Sequence, residues 1–203
     1  MRTLVASKAP TTLAILAMLA CAPAAQVHAQ GTVAGTITMN KQLELPNVVV
    51  FLDGVQGTFP APDKPVEMNQ HGLQFIPKVL PIVKGTTVNF LNEDPILHDV
   101  FSPDPCAEKL NLGTWPKDIV RTFKFANAGC RSVLLCNIHP GMEGWIVVFD
   151  HPFFAKPAEG GRFTIPNVPP GKYQVKTWHK KVKSKGAPVE LKAAESVTVD
   201  LSL

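Results

Sequence analysis

The chain has 203 residues, 45% of them hydrophobic and 18% charged, with a formal net charge of +4. That length holds one large domain or two small ones, and the hydrophobic fraction is enough to bury a real core. The small net charge leaves no global basic footprint and excludes a general nucleic-acid binder.

Residues 1–29 read as a targeting segment. Arg2 and Lys8 make a positive start, Leu13 to Ala20 form an apolar run, and Val27-His28-Ala29 offers small residues at a cleavage site. The mature chain is then expected to begin at Gln30 and to work in the periplasm. The apolar run is shorter than the ~20 residues a bilayer span needs, so no transmembrane anchor is expected. Cys21 leaves a lipoprotein as the alternative. Loss of the segment removes two positive charges and no acidic ones, which brings the chain close to neutral.

The remainder carries many of the 19 prolines and 14 glycines between short apolar runs, which predicts an all-β fold rich in turns. Gly31 to Thr38 alternates as a half-buried strand should, and Asn47 to Leu52 is a second strand closed by the turn pair Asp53-Gly54. Residues 55–65 read as a connector. Further on, Ser132 to Leu135 and Trp145 to Phe149 read as buried strands. After residue 150, Gly160 to Ile165 and Val168 to Val175 are strands, the second run holding a Pro-Gly turn. Ser196 to Leu203 alternates as a last strand.

Between two of these strands lies Cys136-Asn137-Ile138-His139-Pro140-Gly141-Met142. Thiol, imidazole and thioether sit three residues apart in a loop held at both ends. Soft sulfur with imidazole suits copper, and a His2Cys set with a weak axial Met is the blue-copper arrangement. The second histidine would be His98, in the segment Leu91 to Phe101. Other readings of the loop stay open. A Cys/His pair is also a nucleophile with its base, or half of a zinc site, and a buried free Cys is usually a small hydrophobe.

Cys-x-x-His-x-x-Met after a buried strand, with a His behind an Asn-x-Asp turn upstream, resembles a cupredoxin of the amicyanin and plastocyanin branch. The resemblance covers residues 66–149, with support from Phe75-Ile76-Pro77, Gly85 to Phe90, Phe125 and Gly129. It implies a Greek-key β-sandwich holding one type 1 copper ion on His98, Cys136, His139 and Met142. It also implies that the ring edge of His139 reaches the surface through an apolar patch, to which Ile138, Pro140 and Gly141 contribute. The chain departs from the family at Asp99, where cupredoxins commonly carry an Asn that ties the two ligand loops together. The expectation is a less rigid His98 loop with a carboxylate beside the ligand.

A second resemblance lies in the flanks. Gly-Arg-Phe-Thr-Ile and Val-Pro-Pro-Gly-Lys-Tyr are similar to the transthyretin-like regulatory domain of carboxypeptidases. Its opening strands would be in 30–65 and its remaining strands in 150–203. The copper sandwich would then be inserted into a second small β-sandwich.

Cys106, Cys130 and Cys136 remain after the leader. With Cys136 on a metal and the chain exported, a Cys106–Cys130 disulfide is expected, two free buried thiols being the alternative. His71, His151 and His179 have no ligand spacing and read as surface or packing residues. The basic stretch Trp178 to Lys185 reads as a solvated edge or loop, or else as a docking patch for an acidic partner.

With all four ligand positions occupied by protein, no place is left for a substrate, so the chain is not expected to be an enzyme. The expected function is single-electron transfer with a redox protein partner. Copper delivery or tolerance is the alternative. A third reading is a binding module in which copper is secondary.

Overall fold

The computed structural model describes residues 29–39, 44–183 and 185–203. The leader up to residue 28, Cys21 included, lies outside the described residues. No described helix is long and apolar enough to cross a membrane.

The described regular structure is strands joined by turns and three short 3-10 turns. In chain order the strands are β1 (Gly31–Thr38), β2 (Val49–Asp53), β3 (Val66–His71), β4 (Gln74–Ile76), β5 (Val79–Val83), β6 (Thr87–Phe90), β7 (His98–Phe101), β8 (Asn111–Trp115) and β9 (Arg121–Lys124). They continue with β10 (Arg131–Leu135), β11 (Glu143–Phe149), β12 (Phe154–Ala155), β13 (Arg162–Val168), β14 (Gly171–Trp178), β15 (Ala187–Leu191), β16 (Ser196–Thr198) and β17 (Leu201–Ser202).

Strands β5-β11-β10-β7-β8 form one sheet and β4-β3-β6-β9 another. Their inner faces enclose a shared core that includes Met68, Phe75, Phe90, Val100, Leu134 and Ile146. Alternation decides which side chains enter it, because successive residues of a strand point to opposite faces. In β10, Ser132 and Leu134 turn inward, and Cys136 just beyond the strand continues that parity; all three are buried. Cys106 and Cys130 are joined in a disulfide with their Cα atoms 5.6 Å apart. Cys130 sits at the opposite end of β10 from Cys136, a strand length of roughly 17 Å.

The two ends of the chain meet. β1 pairs antiparallel with β13 and parallel with β16 and β17, while β2 pairs with β12 and β14. The sheets β13-β1-β16 and β12-β2-β14-β15 enclose a core built on Val33, Val50, Leu52, Ile165, Val175 and Leu191. Strands β3 to β11 therefore lie, in sequence, between elements that pair with each other.

The last strand differs from the sequence reading, which made Ser196 to Leu203 continuous. It breaks into β16 and β17 because the Asp200 side chain accepts the Thr36 N–H at 2.8 Å, replacing a ladder bond. Gly35 is needed opposite the break, since a Cβ there would meet the Val199 carbonyl oxygen at 1.8 Å. The second strand also begins later than expected, Leu45–Asn47 forming a 3-10 turn instead.

A third apolar cluster joins the two sandwiches. Val79, Val147 and Phe149 from the outer face of the five-stranded sheet pack on Val49 and Trp178. Trp145 and Trp178 lie with ring centroids 5.5 Å apart, and Phe51 and Phe149 at 5.0 Å. Lys156 crosses the same seam to donate to the Val79 carbonyl at 2.9 Å.

Candidate metal centre

His98 opens β7, Cys136 follows β10, and His139 with Met142 belongs to the loop into β11. Pairing of β10 with both β7 and β11 brings these three segments to one end of the sandwich. Gly141 has φ of +100°, a conformation a side chain would strain, and it lets the loop turn back between His139 and Met142.

The ligand atoms converge. His98 Nδ1 and His139 Nδ1 are 3.1 Å apart, and Cys136 Sγ is 3.7 Å from the His139 nitrogen and 4.0 Å from that of His98. The centre of that triangle lies about 2 Å from each corner, the bond length of imidazole nitrogen or thiolate sulfur to a first-row metal ion. His98 is wholly buried, Cys136 and Met142 nearly so, and His139 is partly exposed. Met142 packs in the same core cluster as Cys136. Two imidazoles, a thiol and a neighbouring thioether fit a type 1 copper centre.

The electrostatics orient the donors. Asp94 Oδ2 lies 2.9 Å from His98 Nε2. Only a proton on Nε2 satisfies that contact, and it leaves the Nδ1 lone pair aimed at the other ligands. Burial alone would raise the Asp94 pKa. The N–H groups of Leu73 and Gly72, together with His98, outweigh it and hold the carboxyl below its usual value. Asn92 braces the turn, its amide donating to the carbonyls of Ile96 and Trp115 while its oxygen accepts from Asp94 N–H. For Cys136, burial pushes the thiol pKa up, against several backbone donors, so the thiolate needs a bound cation to persist at neutral pH.

Asp99 overturns the expectation of a looser loop. Its Oδ1 accepts from Asn137 N–H at 2.6 Å and from Ile138 N–H at 3.4 Å, and its Oδ2 accepts from the Asn137 amide at 2.7 Å. The carboxylate ties the two ligand loops in the place where cupredoxins commonly carry an Asn. A carboxylate accepts at both oxygens, so it takes all three donors at once. Asp94 is the residue that reading the sequence missed. Its signal is present in the sequence, where the Asn-x-Asp turn puts a carboxylate four residues before His98.

The other described histidines do not join the cluster. His151 is buried against Phe149 and Phe153, His179 is buried near the seam, and His71 is exposed near Glu93 and Asp94.

No family model matches the chain, and no curated protein matches it. Solved structures do. The copper-containing nitrite reductase of Thermus scotoductus SA-01 is similar over 49% of this chain and 25% of that one, with 30% identity and a TM-score of 0.41. A reduced Cu(I) form of amicyanin is similar over 49% of this chain and 97% of that one, at 20% identity and a TM-score of 0.40. The purple cupredoxin of Nitrosopumilus maritimus is similar over 41% of this chain and 98% of that one, at 21% identity and 0.37. The chain thus spans only a quarter of the nitrite reductase's length. The site assignment rests on this chain's own side chains.

Proposed function

We propose that the chain is a periplasmic type 1 copper protein that passes single electrons between redox protein partners. The observation that carries this is the convergence of His98 Nδ1, His139 Nδ1 and Cys136 Sγ on one point, with Met142 buried beside them. Copper bound there would supply one-electron exchange between Cu(I) and Cu(II). His98, Cys136 and His139 would hold it, and Met142, buried in the same core cluster as Cys136, would tune its potential.

The protein's part is rigidity and access. Asp94 and Asp99 hold both ligand loops in one geometry, so either oxidation state meets the same donors with little rearrangement. His139 is the one partly exposed ligand, and exposed Ile138, Leu97 and Ile96 adjoin the ligands in sequence. Leu73, also exposed, lines the same cleft as Gly141 and Met142. This apolar rim suits brief contact with a partner at the His139 edge.

The test is the visible spectrum after Cu(II) addition to the purified full chain. An intense thiolate-to-copper charge-transfer band is expected, absent in Cys136→Ser. A coloured Cys136→Ser protein would overturn the ligand assignment. Repeated redox cycling against a strong Cu(I) chelator separates a carrier, which retains copper, from a delivery protein, which releases it on reduction.

A further inference from the structure

We infer that the groove along the seam of the two sandwiches is a docking site for an acidic polypeptide surface. It has a volume of about 540 Å³, a floor that includes Phe51 and Trp178, and cationic walls that include Arg131, Lys181 and Lys183. The inference needs no metal and stands apart from the copper reading.

The charges come from both sandwiches. Arg131 stands opposite Val147 in the ladder between β10 and β11, on the face turned toward the flanking sandwich. Lys176 lies in β14, and Lys181 and Lys183 lie in the segment after it, which Trp178 holds by an isolated bridge to Lys183. Fold stability gives no reason to gather cations here, because like charges at short range repel.

Two of the cations already have partners. Lys176 is paired with Asp53, and Lys180 with Glu143. Arg131, Lys181 and Lys183 have no carboxylate partner among the described residues, Arg131 donating only to the Gly129 carbonyl at 3.2 Å. Lysines that guard an exposed sheet edge would be the ordinary explanation. That explanation accounts for exposed lysines but not for the aromatic side chains of Phe51 and Trp178 that line the groove with them. A low-dielectric aromatic floor under unpaired cations concentrates the field on an incoming anion.

The occupant's chemistry follows from the acidic groups that are present. Glu143 and Asp53 stand beside the cations they pair with, so a continuous phosphate backbone would run past fixed carboxylates. Separate carboxylates on a protein surface can meet Arg131, Lys181 and Lys183 and avoid both. Apolar side chains of such a surface would cover Phe51 and Trp178. Glu143 directly follows Met142, so one end of this region adjoins the ligand loop.

The probe is a fluorescein-labelled hexaglutamate peptide, titrated with the full chain and read by anisotropy at low and at physiological ionic strength. Saturable binding that weakens with salt is expected. The triple charge reversal Arg131→Glu, Lys181→Glu, Lys183→Glu should weaken it by about tenfold or more. The double reversal Lys117→Glu, Lys192→Glu, at exposed sites outside the groove, should leave it unchanged. Thermal melts check that each variant is folded, and the milder pair Lys181→Gln, Lys183→Gln, expected to lose several-fold, serves if the triple variant is not. Absence of saturable binding overturns the proposal, as does equal loss in the control variant. Tighter binding of a hexamer of deoxythymidylate overturns it in favour of nucleic acid.

Discussion

The two sandwiches treat buried polarity in opposite ways. The flanking core is packed from Val, Leu, Ile and Phe, and its most buried members need no polar partner. The ligand end of the other sandwich buries Asp94, His98 and Asp99 within a few residues of one another. Burying a carboxylate is unfavourable unless its oxygens are satisfied. Asp94 accepts from two backbone N–H groups and faces His98, and Asp99 accepts from three donors. A wholly apolar packing of this end, with no buried donors to satisfy, would need none of these carboxylates, so stability alone does not account for them. Their common feature is that each sets the position of a ligand-bearing loop.

This contrast predicts a separation of effects. The largest effect on stability should come from the flanking core. Ile165→Ala should lower stability by about 2–5 kcal/mol, while leaving the reduction potential of the copper-loaded protein unchanged. Chemical denaturation and voltammetry on the same preparation check both halves. A shifted potential would mean the two sandwiches are more tightly coupled than their separate cores imply.

Asp99→Ala should cost somewhat less, about 2–3 kcal/mol, because it strands donors that Asn137 exposes in part to water. Unlike Ile165→Ala it should also loosen copper, measured by competition with a chelator. Asp99→Asn keeps an acceptor for the tie and removes the charge, so the potential should rise with most of the stability retained.

Asp94→Asn should act mainly on the metal. An amide is a weaker acceptor for His98 Nε2–H, so the imidazole becomes a poorer donor. Cu(II) affinity should fall about 10–100-fold and the potential should rise, with a much smaller change in melting temperature. Met142→Leu should retain copper and raise the potential, since loss of a weakly donating thioether disfavours Cu(II) more than Cu(I). Loss of all copper in that variant would make Met142 an obligatory ligand.

The smallest effect concerns pH and lies next to the seam. His151 is buried, and burial lowers its pKa against an upward pull from Asp150. A depressed histidine pKa means that the unfolded chain binds the proton more readily. Its contribution to stability is fully present above the unfolded value of about 6.5 and is lost as pH falls below it. The Nδ1 of His151 accepts the Phe153 N–H, a bond that Asn can replace through its own side-chain oxygen. Melting temperatures of copper-free protein between pH 8 and 5 should fall less steeply for His151→Asn than for the wild type.

Much of this was legible in the chain because it is local. Cys136, His139 and Met142 occupy one seven-residue loop between two apolar strands, so their spacing alone placed them together. The alternation in Gly31 to Thr38 marked β1 for the same reason, side-chain direction being set by the strand itself. What the tertiary structure decided is non-local. Asp94 and Asp99 look alike in sequence, five residues apart. One faces His98 Nε2 and the other reaches Asn137, 38 residues away, because β7 and β10 are neighbours in the sheet. The gathering of Arg131 with Lys181 and Lys183 depends likewise on how two sandwiches pack through Trp178 and Phe149. A residue type fixes which bonds a side chain can make. Which partner it meets depends on strand neighbours far apart in the chain, and no local pattern encodes that.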